Sequence, residues 1–365
     1  MKVGFVVYVL SSQHSGITIS LLEYCRQLIQ MGQEVCIFCL YCDSTVKEEF
    51  EQLGAMIYPS VGKVPFLLEP RMFMYSHSLA TKLRRNIDKV GGVDAYVVYA
   101  DEAIPVVELR NSKPWLYVFQ GDLTLLLLKR RFREKHRIGS MIVSPFFVRY
   151  IAKHSKLLNQ FDAVAANSEF STNLASFLYD ITVDRVIYPP LQTEVLSHDT
   201  IRLEDREACA IAVLRNDSEG TFDFVSKLAS GVKLKIIGGA RIENCESLGY
   251  LDFASYLTSI AKALVLIVPS NDEYFGRATI EALGVGTPVL GFNSSGAKEI
   301  ISGHDCGWLA SDSEQFLEIL TRIMSEKYAS NIIPKCRERA RRFESSRTSS
   351  ELLDWISTVS SKNSN

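Results

Sequence analysis

Short apolar runs along the first half alternate with longer segments whose apolar positions recur every three or four residues. This alternation predicts strands separated by helices. The strands fall at Val3–Leu10, Glu34–Leu40, Ala95–Ala100, Trp115–Phe119 and Ala163–Ala166. Between the first two lies a helical pattern, Ile17–Met31, with Leu21, Leu22, Cys25, Leu28 and Ile29 on one face. Near-continuous apolar strands between amphipathic helices describe a parallel sheet covered on both faces. The regularity stops at Tyr188-Pro189-Pro190, and a polar stretch, Thr193–Arg206, follows. Two consecutive prolines continue neither a helix nor a central strand, so a hinge is expected there. The alternation resumes with strands at Ala208–Leu214, Lys233–Ile237, Leu264–Val268 and Pro288–Gly291, and helices are expected from Asp312 to Trp355.

The expected architecture is α/β: two Rossmann-like βαβ domains facing a cleft, with ligands at the carboxyl ends of the strands. Its parts are an N-terminal Rossmann-like domain over 1–188, a linker over 189–206 and a second Rossmann-like domain over 207–342. A C-terminal helix, 343–365, is expected to pack back toward the N-terminal domain. A chain of 365 residues fits two domains of about 150–200 residues each. Its 47% hydrophobic and 22% charged residues exclude wholesale disorder.

Charge divides the chain. Residues 1–165 hold 20 Lys/Arg against 15 Asp/Glu (net +5), and residues 166–365 hold 20 against 27 (net −7). The halves are therefore expected to meet different partners. The opening MKVGFVVYVLSS imitates a leader, but no A-x-A-like site follows and the run leads into an amphipathic helix. It reads as a buried strand. No apolar stretch reaches the ~18 residues needed to cross a bilayer, and a cytoplasmic protein, soluble or at the inner face of the cytoplasmic membrane, is expected.

Cys36, Cys39 and Cys42 form C-x2-C-x2-C, a spacing seen at metal sites. On a strand, however, Cys36 and Cys39 point to opposite faces, so no shared metal is expected unless the strand breaks. Cys25, Cys209, Cys245, Cys306 and Cys336 lie scattered among apolar residues and read as buried thiols of a reducing compartment.

Most informative is Val265–Phe292, VLIVPSNDEYFGRATIEALGVGTPVLGF. An apolar strand ends in a polar loop, and a helix begins near Arg277. Gly276 allows close backbone approach, and the helix start favours an anion such as a diphosphate. Glu273 and Glu281 bracket that point, and a carboxylate facing a pocket suits paired hydroxyls. Taken singly, a mid-helix Glu is most often solvated; the ordered string carries the argument.

That string, Glu273, Phe275, Gly276, Glu281, Ala282, Gly286, Pro288 and Val289, resembles the E-x7-E signature of retaining glycosyltransferases of family 4, which have the GT-B fold. Ser15-Gly16 at the first strand-to-helix turn, Arg215 after a strand, Gly238-Gly239 after another and Pro269-Ser270 before the first Glu are similar to the family as well. The resemblance implies that Glu281 holds ribose hydroxyls and that Glu273 contacts the donor sugar. Backbone N–H groups around Phe275, Gly276, Arg277 and Ala278 would cradle the diphosphate, with Gly238, Ser15 and Gly16 also lining the donor site. Arg215 would stabilise the departing diphosphate. It further implies no metal and no cofactor, with a UDP-sugar or GDP-sugar as donor.

Two positions depart from the family. The segment Arg215-Asn-Asp-Ser-Glu219-Gly220 has a carboxylate where a Lys is usual, and Arg277 is the expected substitute. After Trp115–Phe119 the family often places a His; here stand Gln120, Gly121 and Asp122. Gln120 is assigned to a sugar hydroxyl and Asp122 to the acceptor, with His14 and Asp101-Glu102 as further candidates.

Between Leu123 and Lys156 nine Lys/Arg and one Glu interleave with large apolar residues. The Lys129–Lys156 part suits an anionic membrane surface and a lipid-linked or glycan acceptor, although a solvated basic helix gives the same pattern. Nothing resembles a nucleic-acid-binding motif. The expected function is retaining sugar transfer in envelope polysaccharide or glycoconjugate synthesis. A catalytically weak partner subunit and a sugar-nucleotide epimerase on the same fold are the alternatives.

Overall fold

The computed structural model describes residues 1–11, 16–61, 72–121, 149, 151–214, 219–271 and 273–362. The chain forms two compact units, one of Met1–Pro190 with Ser345–Asn365, the other of Leu191–Glu344.

The first unit is built on a seven-stranded sheet ordered β5-β3-β1-β6-β7-β8-β9. Its strands are β1 (Lys2–Val6), β3 (Glu34–Cys39), β5 (Met56–Pro59), β6 (Ala95–Val98), β7 (Trp115–Phe119), β8 (Ala163–Ala166) and β9 (Arg185–Val186). Every pairing among them is parallel. A small separate ladder pairs β2 (Val9–Leu10) with β4 (Tyr41–Cys42). Among the helices are α1 (Gly16–Gln30), α2 (Ser44–Gln52), α3 (Met72–Val90) and α4 (Glu169–Tyr179).

Both sheet faces are apolar because a parallel sheet is covered twice. Val6, Phe38, Tyr96, Trp115 and Tyr117 pack on one side. On the other, Phe5, Ile37, Val97 and Leu116 pack with Leu21, Tyr24 and Leu28 of α1. The last helix of the chain, Ser345–Lys362, sets Leu352, Trp355, Ile356 and Val359 into this second face.

The second unit has six parallel strands ordered β12-β11-β10-β13-β14-β15. They are β10 (Glu207–Val213), β11 (Leu234–Ile237), β12 (Glu246–Gly249), β13 (Ala263–Val268), β14 (Val289–Phe292) and β15 (Gly307–Ala310). Its helices are α5 (Thr193–Ser197), α6 (Glu219–Ala229), α7 (Phe253–Lys262), α8 (Arg277–Gly284), α9 (Ala297–Ile301), α10 (Ser313–Glu326) and α11 (Ile332–Ala340); Ser345–Lys362 is then α12. Read from the centre, the order is that of a doubly wound sheet, whose direction of winding reverses between β10 and β13.

Two elements differ from the sequence reading. The expected strand Val3–Leu10 divides into β1 and β2, because the backbone leaves the main sheet after Val6 and pairs with β4 instead. The helices expected from Asp312 to Trp355 are α10, α11 and α12, separated after Glu326 and at Arg341–Phe343.

The stretch read as a linker, 189–206, is part of the second unit from Leu191 onward. Leu191 and Val195 are fully buried, and a Cβ placed on Gly284 would lie 2.4 Å from Val195 Cγ1. Arg206 looks solvent-bound in the sequence but is buried. Its guanidinium donates to the Ile201, Ala263 and Gly286 carbonyls and to Thr287 Oγ1 at 2.9–3.2 Å. These neutral acceptors compensate the desolvation that pulls the Arg206 pKa down.

Among the described residues, no helix is long and apolar enough to cross a membrane.

Candidate functional site

The site grows from β13. Six consecutive buried residues, Ala263–Val268, hold this strand in the centre of the sheet, beside the point where the winding reverses. The chain leaves the strand at Pro269, and Phe275 then buries its ring against Phe343, with centroids 5.6 Å apart. Phe275 anchors the loop so that the next residue, Gly276, can cap α8.

Gly276 has φ 95°, a left-handed conformation that glycine adopts at little cost. A Cβ there would also come within 2.9 Å of Thr279 Oγ1 and 3.3 Å of Glu273 Cγ. A second close approach fixes the loop from behind. Gly296 donates its N–H to the Glu273 carbonyl at 2.7 Å, and a Cβ on Gly296 would sit 2.3 Å from the Tyr274 oxygen. With glycine as N-cap, α8 has no side-chain cap. The N–H groups of a first turn lack intrahelical acceptors, and the helix dipole adds positive potential there.

Glu281 lies one turn into α8 and is 6% exposed. Its Oε1 accepts from Arg277 Nη2 at 2.9 Å, and its Oε2 accepts from the Tyr256 hydroxyl at 2.6 Å. Tyr256 comes from α7, so the carboxylate is held between two helices. Burial, then the charge of Glu281, holds the Tyr256 pKa well above the usual phenol range, so the hydroxyl stays a donor. One donor on each oxygen fixes the carboxylate plane and leaves each oxygen able to accept once more. A vicinal diol presents two O–H donors that match this.

Arg277 sits at the positive end of the helix dipole, where a cation is disfavoured. The nearby Glu281 offsets that cost. One guanidinium presents five donors, of which this contact uses one.

Gly238 ends β11 with φ 112°, and a Cβ there would overlap the Leu214 carbonyl oxygen at 2.3 Å. That glycine lets the end of β11 lie directly against the end of β10. Arg215 follows Leu214 and lies outside the described residues. Glu219, at the position of the expected Lys, is the first residue of α6.

In the first unit, Gly16 opens α1, whereas Ser15, His14 and Asp122 lie outside the described residues. So does most of Lys129–Lys156; within it, residues 151–158 are helical, with Lys153 and Lys156 exposed. Gln120 follows β7, and Asn167 follows the neighbouring β8. Asn167 donates Nδ2 to the Gln120 carbonyl at 2.9 Å and to Gln120 Oε1 at 3.3 Å. Asn167 Oδ1 and Gln120 Nε2 are buried with no protein partner among the described residues. A single hydroxyl group satisfies both at once, as acceptor to one amide and donor to the other. Asp101, after β6, accepts a short hydrogen bond from Tyr117.

The structure thus brings Glu273, Phe275, Gly276, Arg277, Ala278 and Glu281 together at the start of α8. Two residues escape the sequence reading: Tyr256 and Asn167. Tyr256 stands in an ordinary amphipathic helix, and Asn167 precedes the Ser168 cap of α4, so local pattern explains each without a site. Among the described residues no group of three or more His, Cys, Asp or Glu is placed to hold a metal.

Residues 230–343 match the family described as glycosyl transferases group 1. The alpha-1,3/1,6-mannosyltransferase ALG2 of Kluyveromyces lactis is 22% identical over 370 residues, covering 79% of this chain and 71% of that protein. The GDP-Man:Man(3)GlcNAc(2)-PP-Dol alpha-1,2-mannosyltransferase of Dictyostelium discoideum is 33% identical over 100 residues, 27% of this chain and 20% of that one. Among solved structures, sucrose-phosphate synthase from Thermosynechococcus elongatus aligns with TM-score 0.74 at 15% identity, over 98% of this chain and 99% of the other. Anabaena HepE in complex with UDP aligns with TM-score 0.66 at 17% identity, over 98% and 100%. At such identities the structural likeness is one of fold, the GT-B class that the two parallel-sheet units imply.

Proposed function

We infer that this glycosyltransferase, whose second unit belongs to the group 1 family, moves a sugar from a nucleoside-diphosphate donor to a hydroxyl of a lipid-linked glycan, with retention of configuration. The observation that carries the donor side is the buried Glu281 carboxylate, presented by Arg277 and Tyr256 behind the glycine-capped start of α8. In this reading the ribose hydroxyls donate to the open lone pairs of Glu281. The diphosphate lies against the first N–H groups of α8 and against Arg277, which takes the place of the missing Lys. Glu273 meets the donor sugar.

As the glycosidic bond to the leaving diphosphate breaks, negative charge grows on the departing oxygen. Arg277 and the helix N–H groups present charge and dipoles of the sign that lowers the energy of that state, and Arg215 is assigned the same role by the family resemblance. Neutralisation by the protein makes a divalent cation unnecessary, so a chelator leaves turnover unchanged. The acceptor hydroxyl attacks from the face that the diphosphate leaves, which preserves the anomeric configuration.

The first unit supplies the sugar-hydroxyl contacts. Gln120 Nε2 and Asn167 Oδ1 take one hydroxyl between them, and Asp122 is assigned to the acceptor. ALG2 of Kluyveromyces lactis is named as a mannosyltransferase, and the Dictyostelium relative's name includes both GDP-Man and a PP-Dol-linked glycan. A lipid-linked acceptor agrees with the basic, apolar-interleaved Lys129–Lys156 stretch, which we assign to an anionic membrane surface in a cytoplasmic location.

The deciding experiment is a thermal-shift panel of UDP, GDP and ADP with their sugars, GDP-mannose and UDP-glucose first, on the native protein and Glu281→Ala. A ligand at ~100 times its dissociation constant adds about 2.7 kcal/mol to native-state stability. A shift for one base that disappears in the variant supports the donor site. Absence of any shift removes this reading. Co-sedimentation with anionic vesicles at low and high salt tests the membrane part, and no binding at low salt removes it.

A further inference from the structure

The three cysteines Cys36, Cys39 and Cys42 are not used by the reading above. Alternation along a strand puts residues i and i+3 on opposite faces. Cys36 and Cys39 obey this rule: Cys36 packs in the cluster with Phe38 and Leu40, and Cys39 in the opposite cluster with Ile37. Cys39 and Cys42 do not. Cys42, also three residues on, packs against the same cluster as Cys39.

A break in the ladder accounts for this. The N–H groups of Leu40 and Tyr41 both donate to the Tyr8 carbonyl, at 2.9 and 3.3 Å. Two residues of one strand facing one residue of its neighbour is a β-bulge. The extra residue shifts the alternation by one, and the side chains of Cys39 and Cys42 turn to the same side. Cys42 Sγ donates to the Asp43 carbonyl at 3.5 Å.

Their surroundings differ. Cys39 is fully buried, whereas Cys42 is half-buried and borders solvent. Cys42 immediately precedes Asp43, the N-cap of α2, and Asp43 makes no side-chain cap bond. A thiolate is favoured at the start of a helix and beside a cation. The neighbouring Cys39 thiol lowers the Cys42 pKa, with the Lys47 ammonium helping, against burial and the Asp43 and Glu51 carboxylates. The Cys42 thiol, followed by burial, raises the Cys39 pKa. One thiol is thus disposed to attack and the other to stay protonated until needed.

We propose that Cys39 and Cys42 are a reversible thiol–disulfide site, with Cys42 the attacking sulfur and Cys39 the resolving one. With a hydroperoxide as oxidant, the Cys42 thiolate attacks the peroxide oxygen and the O–O bond breaks. This gives a sulfenic acid on Cys42 and, after protonation, one water or alcohol. The Cys39 sulfur then attacks the Cys42 sulfur, the S–O bond breaks, and water leaves carrying the Cys39 proton. Two thiols lose two electrons and the peroxide gains them; a dithiol reductant reverses the change. The bond would pin β3 to β4. Because Leu10 of β2 pairs with Cys42, it would also pin the strand that leads into residues 12–15 ahead of α1.

The test uses the full-length protein, reduced and then exposed to hydrogen peroxide in stoichiometric steps, with intact mass and peptide mapping. The expected product has lost about 2 Da and carries a Cys39–Cys42 bond that dithiothreitol removes. Cys42→Ser and Cys39→Ser each abolish the loss, while Cys36→Ser and Cys25→Ser retain it. In the reduced native protein, Cys42 is alkylated about tenfold faster than the half-buried Cys245, whose pKa burial raises. A disulfide mapped to another pair, oxidation of Cys42 only to sulfinic acid, or equal alkylation of Cys42 and Cys245 overturns the proposal. Mapping and alkylation on the native chain need no variant to fold.

Discussion

The two sheets share one winding, with β1 and β10 at their respective centres, yet their carboxyl edges are furnished in different ways. In the second unit, one continuous segment from β13 through α8 supplies the glycine cap, the helix start, Arg277 and Glu281. In the first, the polar groups come from three separate strand ends, Asp101 after β6, Gln120 after β7 and Asn167 after β8, and are tied in by side-chain bonds. A binding edge built from one segment is fixed by local geometry and travels as a unit. An edge assembled from strand ends depends on the sheet to bring its members together.

The contrast is broken most sharply by Glu281→Ala. Removing one partner of a buried ion pair typically costs about 3–5 kcal/mol, and in the proposed reading it also removes the acceptor for the ribose. Nucleotide affinity should fall at least about 100-fold by calorimetry, roughly 2.7 kcal/mol or more at 1.4 kcal/mol per factor of ten. Should Gln120→Ala lower nucleotide affinity as much, the assignment of the donor to the second unit alone fails.

Gly238→Ala comes next. The new Cβ overlaps the Leu214 oxygen and a left-handed φ is forced on alanine, for an expected loss of about 2–4 kcal/mol. Hydrogen exchange should show the loss in β10 and β11 while β1 and β6 keep their protection.

Tyr256→Phe removes one hydrogen bond to a charged group, worth about 1.5–3 kcal/mol. Nucleotide affinity should weaken about tenfold or more, and the preference for ribose over 2′-deoxyribose nucleotide should narrow. A change in melting temperature with that preference intact would reduce Tyr256 to a structural contact. The smallest effect is expected from Asn167→Ala, about 1 kcal/mol. It should appear in the KM for the sugar-nucleotide donor and not in the affinity for the free nucleoside diphosphate.

Much of this was legible in the chain. The inner strands of both sheets follow from apolar runs, because burial on both faces leaves few polar positions within them, whereas the edge strands β5, β9, β12 and β15 were not read. Phe275, Gly276, Arg277 and Glu281 could be read as one site because loop and helix start are contiguous. Tyr256 could not, since it reaches Glu281 from a helix 25 positions earlier and only the packing of α7 on α8 joins them. Asn167 meets Gln120 across a strand pairing 47 positions apart. The bulge at Leu40 and Tyr41 was equally hidden, because Cys39 and Cys42 share a face only through a two-to-one pairing with Tyr8.

Arg206 carries a practical consequence for dissecting the protein. A gene fragment begun at Glu207, where β10 starts, would omit the guanidinium that occupies the Ala263 and Gly286 carbonyls and Thr287 Oγ1. Those acceptors would be left in an apolar interior, each at a cost of about 1–3 kcal/mol, and Gly284 would lose Val195 from its back. A fragment begun at Leu191 and ended at Glu344 keeps all of them, and the backbone bond from Leu191 to the Phe343 carbonyl holds its two termini together. The second unit therefore has its natural N-terminal cut site beside the prolines, sixteen residues ahead of its first strand.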